Sequence, residues 1–251
     1  MDFLRYLKLG KRTLVRRRGR GGRQFRAITV GKIAPTKYPH FKINEEHAGT
    51  ILDIVHERGR EAPLAKVQFD NKLISYFPAP EGTVVGKQIS AGEKAPVLSK
   101  NILSLESIPD GTLVCNIERN VGDGGKLIKA AGSSAIVFSH SSDGVTIKFP
   151  SGKFKVLNPK CRAMVGMISG GGRKEKPFLK AGNKAKIMKA KGKLYPTVRG
   201  IAQAAVYHPH GGGRHQHIGR QSSVSRNTPP GRKVGNIAPR KTGRGRIKRQ
   251  S

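Results

Sequence analysis

The stretch APLAKVQF, residues 62–69, decides the fold class of this chain. Its apolar residues Ala65, Val67 and Phe69 alternate with polar ones, so the two kinds of side chain fall on opposite faces of an extended strand. This period of two predicts a β-strand with one buried face.

Similar short runs lie on both sides of this stretch. TILDIVHE precedes it, and KLISYFPAPEG and TVVGKQI follow it after a turn predicted at Asp70-Asn71. From residue 102 to 168 the pattern repeats in GTLVCNIE, SAIVFSH, GVTIKFP, GKFKVL and CRAMVGMI, separated by Asp-Gly, Ser-Asp-Gly and Pro-Ser-Gly turns. Short strands without intervening helical patterns favour two small barrels over a parallel α/β sheet, with a boundary near residue 97.

Charge divides the chain more sharply than hydrophobicity does. The sequence has 49 Lys and Arg against 15 Asp and Glu, a formal net charge of +34. Every acid except Asp2 lies between Glu45 and Glu175, so residues 1–43 carry +12, residues 44–175 carry +3 and residues 176–251 carry +19. The middle is therefore an ordinary globular region, and both ends are predicted to be basic arms that stay disordered without a partner.

This charge balance indicates a polyanionic partner. Neutralising phosphates releases their condensed counterions, so nucleic acid is favoured over an anionic membrane surface. No run approaches the length of a membrane span, and the start lacks the apolar stretch of a secretory signal, so we expect neither a membrane protein nor a secreted one. Two isolated cysteines, Cys115 and Cys161, fit a reducing compartment without a disulfide framework.

Two motifs invite enzymatic interpretations. The run from Asp123 to Lys126 resembles part of a phosphate-binding loop but lacks the spacing of a nucleotide hydrolase. YHPHGGGRHQHIGR, residues 207–220, places four histidines close together and suggests a metal site, yet no carboxylate follows Glu175 to serve as ligand or general base. The alternative is that its glycines allow tight turns against RNA while the imidazoles stack on bases or bond to phosphate and 2′-hydroxyl groups.

The C-terminal region also reads as a nucleic-acid surface. The lysines from Lys176 to Lys193 leave no coherent apolar face, so this segment is predicted to follow phosphates and not to join a core. Residues 221–251 read as an extended tail whose arginines can form bidentate phosphate contacts. A merely solvated tail explains one such charge run, but two flanking basic arms favour binding.

The chain resembles the ribosomal large-subunit protein two family in its archaeal or eukaryotic form. The resemblance rests first on HPHGGG, residues 208–213, and TPPGRKVGNIAPRKTGR, residues 228–244. It extends over roughly residues 50–245 through motifs that include APLAKVQF, IPDGTLVCNIE, GDGGK, PSGKFKV, GMISGGGRKEKPFLKAG and PTVRG.

The resemblance implies a mainly β fold, with an oligonucleotide-binding (OB) barrel followed by an SH3-like barrel and extended basic arms. The predicted segments are a basic N-terminal extension at 1–43, an OB-like barrel at 44–97, an SH3-like barrel at 98–172 and a basic C-terminal extension at 173–251. The resemblance implies that the loop His208–Gly213 lies near the peptidyl transferase centre. It also implies a functional importance for His208, which has been proposed for the matching histidine in the family. Here AQAAVY, residues 202–207, lacks the acid that precedes this histidine in many members, which weakens a proton-shuttle role for His208.

We therefore expect a non-enzymatic constituent of the large ribosomal subunit, located in the cytoplasm, with no catalytic residue, cofactor or metal. Its expected partners are large-subunit ribosomal RNA, neighbouring ribosomal proteins and the small subunit at the intersubunit face, with no membrane contact and no homo-oligomer. The rival hypotheses are a metal-dependent enzyme and a histone-like DNA compactor. The residues predicted to contact RNA are Arg16, Arg17, Arg18, Arg20, Arg23, Arg26, Arg173, Lys174, His208, His210, Gly211, Gly212, Gly213, Arg214, His215, His217, Arg220, Arg232, Lys233, Arg240, Lys241, Arg244 and Arg246.

Overall fold

A computed structural model describes residues 13–40, 46–173 and 175–240. The chain separates into two compact units. The first, Thr29–Leu179, is called the β unit; the second, called the terminal unit, is described over residues 13–28 and 180–240. None of the helices in the described parts of the chain has the length and apolar content of a membrane span.

The β unit contains a ten-stranded sheet. Its spatial order is β3-β2-β1-β4-β5-β10-β6-β7-β8-β9, antiparallel at every pairing except the parallel pair β4 and β5. The strands are β1 (His47–Val55), β2 (Leu64–Phe69), β3 (Ile74–Pro78), β4 (Gln88–Ala91), β5 (Ile102–Ser104), β6 (Leu113–Cys115), β7 (Ala135–Ser141), β8 (Gly144–Lys148), β9 (Phe154–Leu157) and β10 (Arg162–Val165).

Two separate hydrophobic cores lie against this sheet. The first is built around Val67, Phe69 and Phe77 of strands β2 and β3, and the second around Val137 and Ile147 of strands β7 and β8. All five side chains are almost completely removed from solvent. The two cores confirm the mainly β fold of an OB-like barrel followed by an SH3-like barrel.

The central strands serve both cores at once. Successive side chains of a strand point to opposite faces, so on β5 Ile102 enters the first core and Leu103 the second. On β10 Met164 and Ala163 divide in the same way. Strands β5 and β10 therefore contribute side chains to both cores. Residues from both sides of the predicted boundary near residue 97 pack together in the first core.

The chain that follows β10 pairs with the segment just after β3. Pro80, just after β3, forms an antiparallel bridge with Ile168. The Glu81 amide donates to the Met167 carbonyl at 2.8 Å, and the Ser169 amide donates to the Ala79 carbonyl at 3.0 Å. This pairing continues from the end of β3 and ties residues 79–81 to the segment that follows β10.

A buried ion pair joins two parts of the second barrel. Glu118 is fully buried, and its Oε1 accepts a hydrogen bond from the Arg162 guanidinium at 2.7 Å. Its carboxylate also accepts from the backbone amides of Gly122, Gly124 and Arg162. Since each of these donors stabilises a carboxylate, Glu118 fixes the loop after β6 to strand β10.

Tyr38 joins the N-terminal segment to this ion pair. Its ring is buried in the first core with the Arg162 guanidinium 5.4 Å from the ring centroid, and its hydroxyl donates to the Asn116 carbonyl at 2.7 Å. Burial raises the pKa of the Tyr38 phenol well above its usual value, so the hydroxyl stays a donor. The charge pattern had assigned Tyr38 to a basic arm, whereas the structure packs residues 29–40 into the β unit.

Three further local features differ from the sequence-based expectations. Strand β5 was not predicted, because only three residues pair and both apolar faces are buried. Val84 and Val85 are exposed in a turn, and the strand predicted there begins only at Gln88. In the terminal unit the lysine-rich segment contains a helix, α2 (Ala181–Ala190), whose Ala and Lys residues favour helix even though only Ala190 is buried.

The rest of the terminal unit is mainly turns. It contains a one-turn helix, α1 (Leu14–Arg17), and two short parallel strands, β11 (Ser223–Val224) and β12 (Asn236–Ile237). With so little regular structure, its shape depends on individual hydrogen bonds and close backbone approaches.

Removing the charge of Glu118 should destabilise the β unit strongly. Glu118→Gln keeps the shape but leaves the Arg162 guanidinium buried without a counter-charge, so we expect a loss of about 3–5 kcal/mol in the free energy of unfolding. Urea unfolding followed by circular dichroism measures this loss. Asp143→Asn, at an exposed acid in the β7–β8 turn, should change it by less than about 0.5 kcal/mol, and equal effects of the two substitutions would contradict the role of the ion pair.

The stability of the second barrel should depend on pH through His140. Its Nδ1 lies 2.6 Å from Asp110 Oδ1 and its Nε2 3.0 Å from the Leu105 carbonyl oxygen, and only the imidazolium donates from both nitrogens. The Leu105 carbonyl, followed by Asp110, raises the pKa of His140 above its ordinary value. The stabilisation is therefore complete below about pH 6.5 and is lost as pH rises through the raised folded pKa.

The free energy of unfolding of the unmodified chain, measured by urea unfolding at pH values from below about 6.5 upward, should fall as pH rises. The fall should be smaller in His140→Gln. The exposed His56 offers a matched control, since His56→Gln should keep the dependence. If the free energy of unfolding depends on pH in the same way in the unmodified chain and in His140→Gln, His140 is not the group responsible for the pH dependence.

Candidate nucleic-acid interface

The predicted arginines of the N-terminal segment are all exposed. None of the described residues in the terminal unit is an Asp or Glu, so these cations have no carboxylate side chain as a partner among the described residues of the unit. The exposed arginines from this segment are Arg16, Arg17, Arg18, Arg20, Arg23 and Arg26. They form a basic surface available to phosphate groups.

Two of the predicted arginines are positioned by contacts within their own unit. The Arg16 guanidinium lies against Gly231, where an added Cβ would be 3.1 Å from its terminal nitrogen. In the β unit, Arg173 donates from its guanidinium to the Glu61 carbonyl at 3.1 Å. Both side chains keep an exposed surface but are held in place by backbone.

The HPHGGG loop is folded by short-range hydrogen bonds. The Gly211 amide donates to the His208 carbonyl at 2.9 Å, and the Gly212 amide donates to the Gln203 carbonyl at 3.0 Å. A Cβ on Gly211 would collide with the Gln203 and Ala204 carbonyls, so glycine is required for this close approach. The loop is therefore held against the segment that precedes it.

His208 and His210 pack against each other inside this loop. Their ring centroids are 5.0 Å apart, and the His210 amide donates to His208 Nδ1 at 3.0 Å. A lone pair on Nδ1 that accepts this bond places any single ring proton on Nε2. Burial, and then the neighbouring His210, lowers the pKa of His208 below its ordinary value, which favours the neutral imidazole.

His210 lies deeper than the pattern of the sequence suggested. Only 8% of the residue is exposed, and it lines a small cavity of about 50 Å³ with Val234 and Arg232. The strands β11 and β12 return the chain over it, with the Asn236 amide donating to the Ser222 carbonyl at 2.9 Å. His210 thus supports the loop from within, and little of its ring can reach a partner.

The other two histidines are exposed. His215 and His217 follow the glycines, and the His217 amide donates to the His215 carbonyl at 3.0 Å. The part of the chain that the structure describes contains no group of three or more His, Cys, Asp or Glu residues that could hold a metal ion. The four histidines therefore divide into a packed pair and an exposed pair.

The remaining predicted residues fall into three groups. Arg214, Arg220, Arg232 and Arg240 are exposed, as are Gly212 and Gly213. Gly211 and Lys233 are half-buried. Lys174, Lys241, Arg244 and Arg246 lie outside the described residues.

The sequence-based selection missed residues that shape this surface. Arg199 donates from its guanidinium to Gln216 Oε1 at 3.3 Å, which links the segment before the histidine loop to the segment after it. Lys184 of α2 lies with its ammonium 5.4 Å from the ring centroid of Tyr195. In the sequence, the only indication of the contact between Lys184 and Tyr195 is that an aromatic residue follows a lysine-rich run.

Fold and surface together define a class of protein: a two-barrel β protein with a separate, strongly basic unit, a combination typical of nucleic-acid-binding proteins. Comparison with known proteins narrows this class. The family described as "Ribosomal Proteins L2, C-terminal domain" matches residues 99–230.

Close relatives cover almost the whole chain. The "Large ribosomal subunit protein uL2" of Cenarchaeum symbiosum is 59% identical over 240 residues, 96% of this chain and 99% of the relative. The protein of the same name from Nitrosopumilus maritimus is 59% identical over 241 residues, with the same coverage of both chains. The Korarchaeum cryptofilum protein is 48% identical over 236 residues, 94% of this chain and 96% of the relative. The chain therefore belongs to the uL2 family of large ribosomal subunit proteins.

Displacing the His208 ring should raise its pKa. A Cβ on Gly200 would collide with the His208 imidazole, so Gly200→Ala should push the ring into solvent and return its pKa toward the ordinary value of about 6.5. An NMR titration of the His208 ring signals measures the change. Gly182→Ala, where an added Cβ meets nothing within 4 Å, is the control and should leave the pKa unchanged; an unaltered His208 pKa in Gly200→Ala would contradict the packed arrangement.

Proposed function

We propose that this chain binds ribosomal RNA without acting as an enzyme and supports both the assembly of the large subunit and the RNA architecture near the peptidyl transferase centre. As a member of the uL2 family it is a structural constituent of the large ribosomal subunit. The proposed mechanism is electrostatic and architectural, with barrels that dock on folded RNA and basic segments that neutralise phosphates.

The observation that carries this proposal is the complete absence of acidic residues from the described part of the terminal unit. Its exposed arginines would repel one another in isolation, and each phosphate that one of them contacts would release condensed counterions. Arginine also matches phosphate with two parallel hydrogen bonds, so it positions a backbone as well as attracting it. A nucleic-acid backbone satisfies both properties, and membership of a ribosomal protein family favours RNA over DNA.

The histidine loop suits RNA in a different way. Because its lowered pKa favours a neutral ring, His208 would act on RNA as a hydrogen-bonding group, for example toward a 2′-hydroxyl, and not as a fixed positive charge. Gly212 and Gly213 are exposed and would let a sugar-phosphate backbone approach closely. We propose that His210 positions this loop from within while Arg214, His215 and His217 contact RNA.

The lack of a carboxylate near His208 in the sequence supports a non-enzymatic role. No Asp or Glu follows Glu175 in the sequence, and the position before His208 is Tyr207, so no neighbouring carboxylate orients the histidine for proton transfer. Further proposed partners are neighbouring ribosomal proteins and the small subunit at the intersubunit face. We propose a cytoplasmic location within the large subunit and no homo-oligomer.

Salt-dependent binding to a structured fragment of large-subunit RNA tests the role of the basic surface. Replacing Arg16, Arg17 and Arg20 by Gln should weaken binding and reduce the slope of log affinity against log salt concentration by about 2–3, since each phosphate contact contributes about 0.7–0.9. Filter binding at several salt concentrations measures this slope.

A variant with the same charge loss on the β unit provides the control. Lys72, Lys87 and Lys94 are exposed, and their replacement by Gln should change the slope by less than about 1. Equal slopes for the two variants would contradict a specific role of the terminal unit. Tighter binding to duplex DNA than to the structured RNA would favour the DNA compactor instead.

A further inference from the structure

The terminal unit contains an open groove that the basic surface alone does not explain. It has a volume of about 720 Å³ and is lined by residues of both chain segments of this unit. Its floor is apolar and aromatic, formed by Phe25, Met188 and Tyr195, all of which are half-buried. Aromatic and thioether side chains of this kind offer a surface to a flat apolar group.

The rim of the groove is cationic. Arg18 and Lys193 are exposed at its edge, and the Lys184 ammonium lies 5.4 Å from the centroid of the Tyr195 ring. No carboxylate occurs among the described residues of this unit, so the groove offers nothing to a metal cation or a basic peptide. An aromatic floor and a cationic rim together fit a ligand that combines a flat body with a negative charge.

Local sequence builds the groove by ending α2 sharply beside the N-terminal segment. Gly192 has a φ of +66°, the Lys193 amide donates to the Met188 carbonyl at 2.8 Å, and the Gly192 amide donates to the Lys189 carbonyl at 3.2 Å. These two bonds form the Schellman pattern that ends a helix. A Cβ at Gly192 would also lie 2.8 Å from the Phe25 carbonyl oxygen, so glycine allows the segment carrying Phe25 to approach the helix end.

We propose that this groove binds one unpaired nucleotide of RNA, with its base stacked on Tyr195 and its phosphate at the cationic rim. The base would take the place of the Lys184 ammonium over the Tyr195 ring and release that cation toward the phosphate. This inference rests on the proposed RNA-binding function and assigns it a particular site.

Stacking on Tyr195 requires an exposed base face, which favours an unpaired nucleotide over a paired one. In a continuous helix both faces of each base are covered by neighbouring pairs, so a helix can present phosphates to Arg18 but no base face to Tyr195. A bulged or looped nucleotide presents both at once. The volume of the groove is in the range of known small-ligand sites, which extends to about 1,000 Å³.

A fluorescent reporter can test the stacking directly, because the chain contains no Trp. Tyr195→Trp keeps an aromatic floor and makes the groove residue the sole tryptophan. The full-length chain would be titrated with an RNA hairpin whose stem carries one bulged adenosine and whose loop is a non-nucleotide linker. The control is the same linker-closed hairpin without the bulge, so that every one of its nucleotides is paired. Quenching should be strong with the bulged hairpin and weak with the paired one, whereas Tyr76→Trp on β3 of the β unit should respond equally to both.

Affinity measurements provide an independent readout. Tyr195→Leu should weaken binding of the bulged hairpin by about tenfold and leave the paired hairpin unchanged, and Tyr195→Phe should retain the preference, since a base that stacks on an aromatic ring contributes about 1–3 kcal/mol. Equal quenching by both hairpins, or an unchanged preference in Tyr195→Leu, would overturn the groove assignment while RNA binding stands. Failure of the unmodified chain to bind either hairpin in a salt-dependent way would overturn the proposed function itself.

Discussion

The burial of Glu118 against Arg162 is the constraint on which the β unit depends. The 2.7 Å contact joins the loop after β6 to strand β10, and the same carboxylate accepts hydrogen bonds from the backbone of the Gly122–Gly124 loop. A charge in this position is stable only if all of its partners are present. The Arg162 guanidinium in turn donates to the Pro39 carbonyl and lies against Tyr38, so the N-terminal segment, the loop and strand β10 are fixed together.

The two units differ in how their charges are balanced. Almost all acids lie in the β unit, where they can pair with cations such as Lys32 and Arg60 around the buried Glu57. In the described terminal unit no acid is present, and folding there relies on turns, glycines and the packed pair of His208 and His210. The β unit thus pairs some of its cations with acids, whereas the described terminal unit leaves its cations for an external polyanion.

Much of the fold could be predicted from the sequence, because alternation of apolar residues reports strands directly. The period of two around Val67 identified β2, and the Ser-Asp-Gly and Pro-Ser-Gly turns identified the hairpins of the second barrel. Strand β5 could not be predicted, since both of its faces are buried and its side chains do not alternate in polarity. Helix α2 was missed because its stability comes from the propensity of Ala and Lys and from its Gly192 end, not from an apolar face.

The candidate site was predictable in composition but not in arrangement. Basic residues and the histidine motif are visible in the sequence, yet the 8% exposure of His210 depends on Val234 and on strands that return from far along the chain. The groove around Tyr195 joins segments separated by more than 150 residues, and no local pattern reports such a contact. Sedimentation of a cell extract through a sucrose gradient in high salt tests the central claim most directly. A structural constituent should stay in the large-subunit peak through the salt wash, whereas release of this chain to the top fractions would contradict the account.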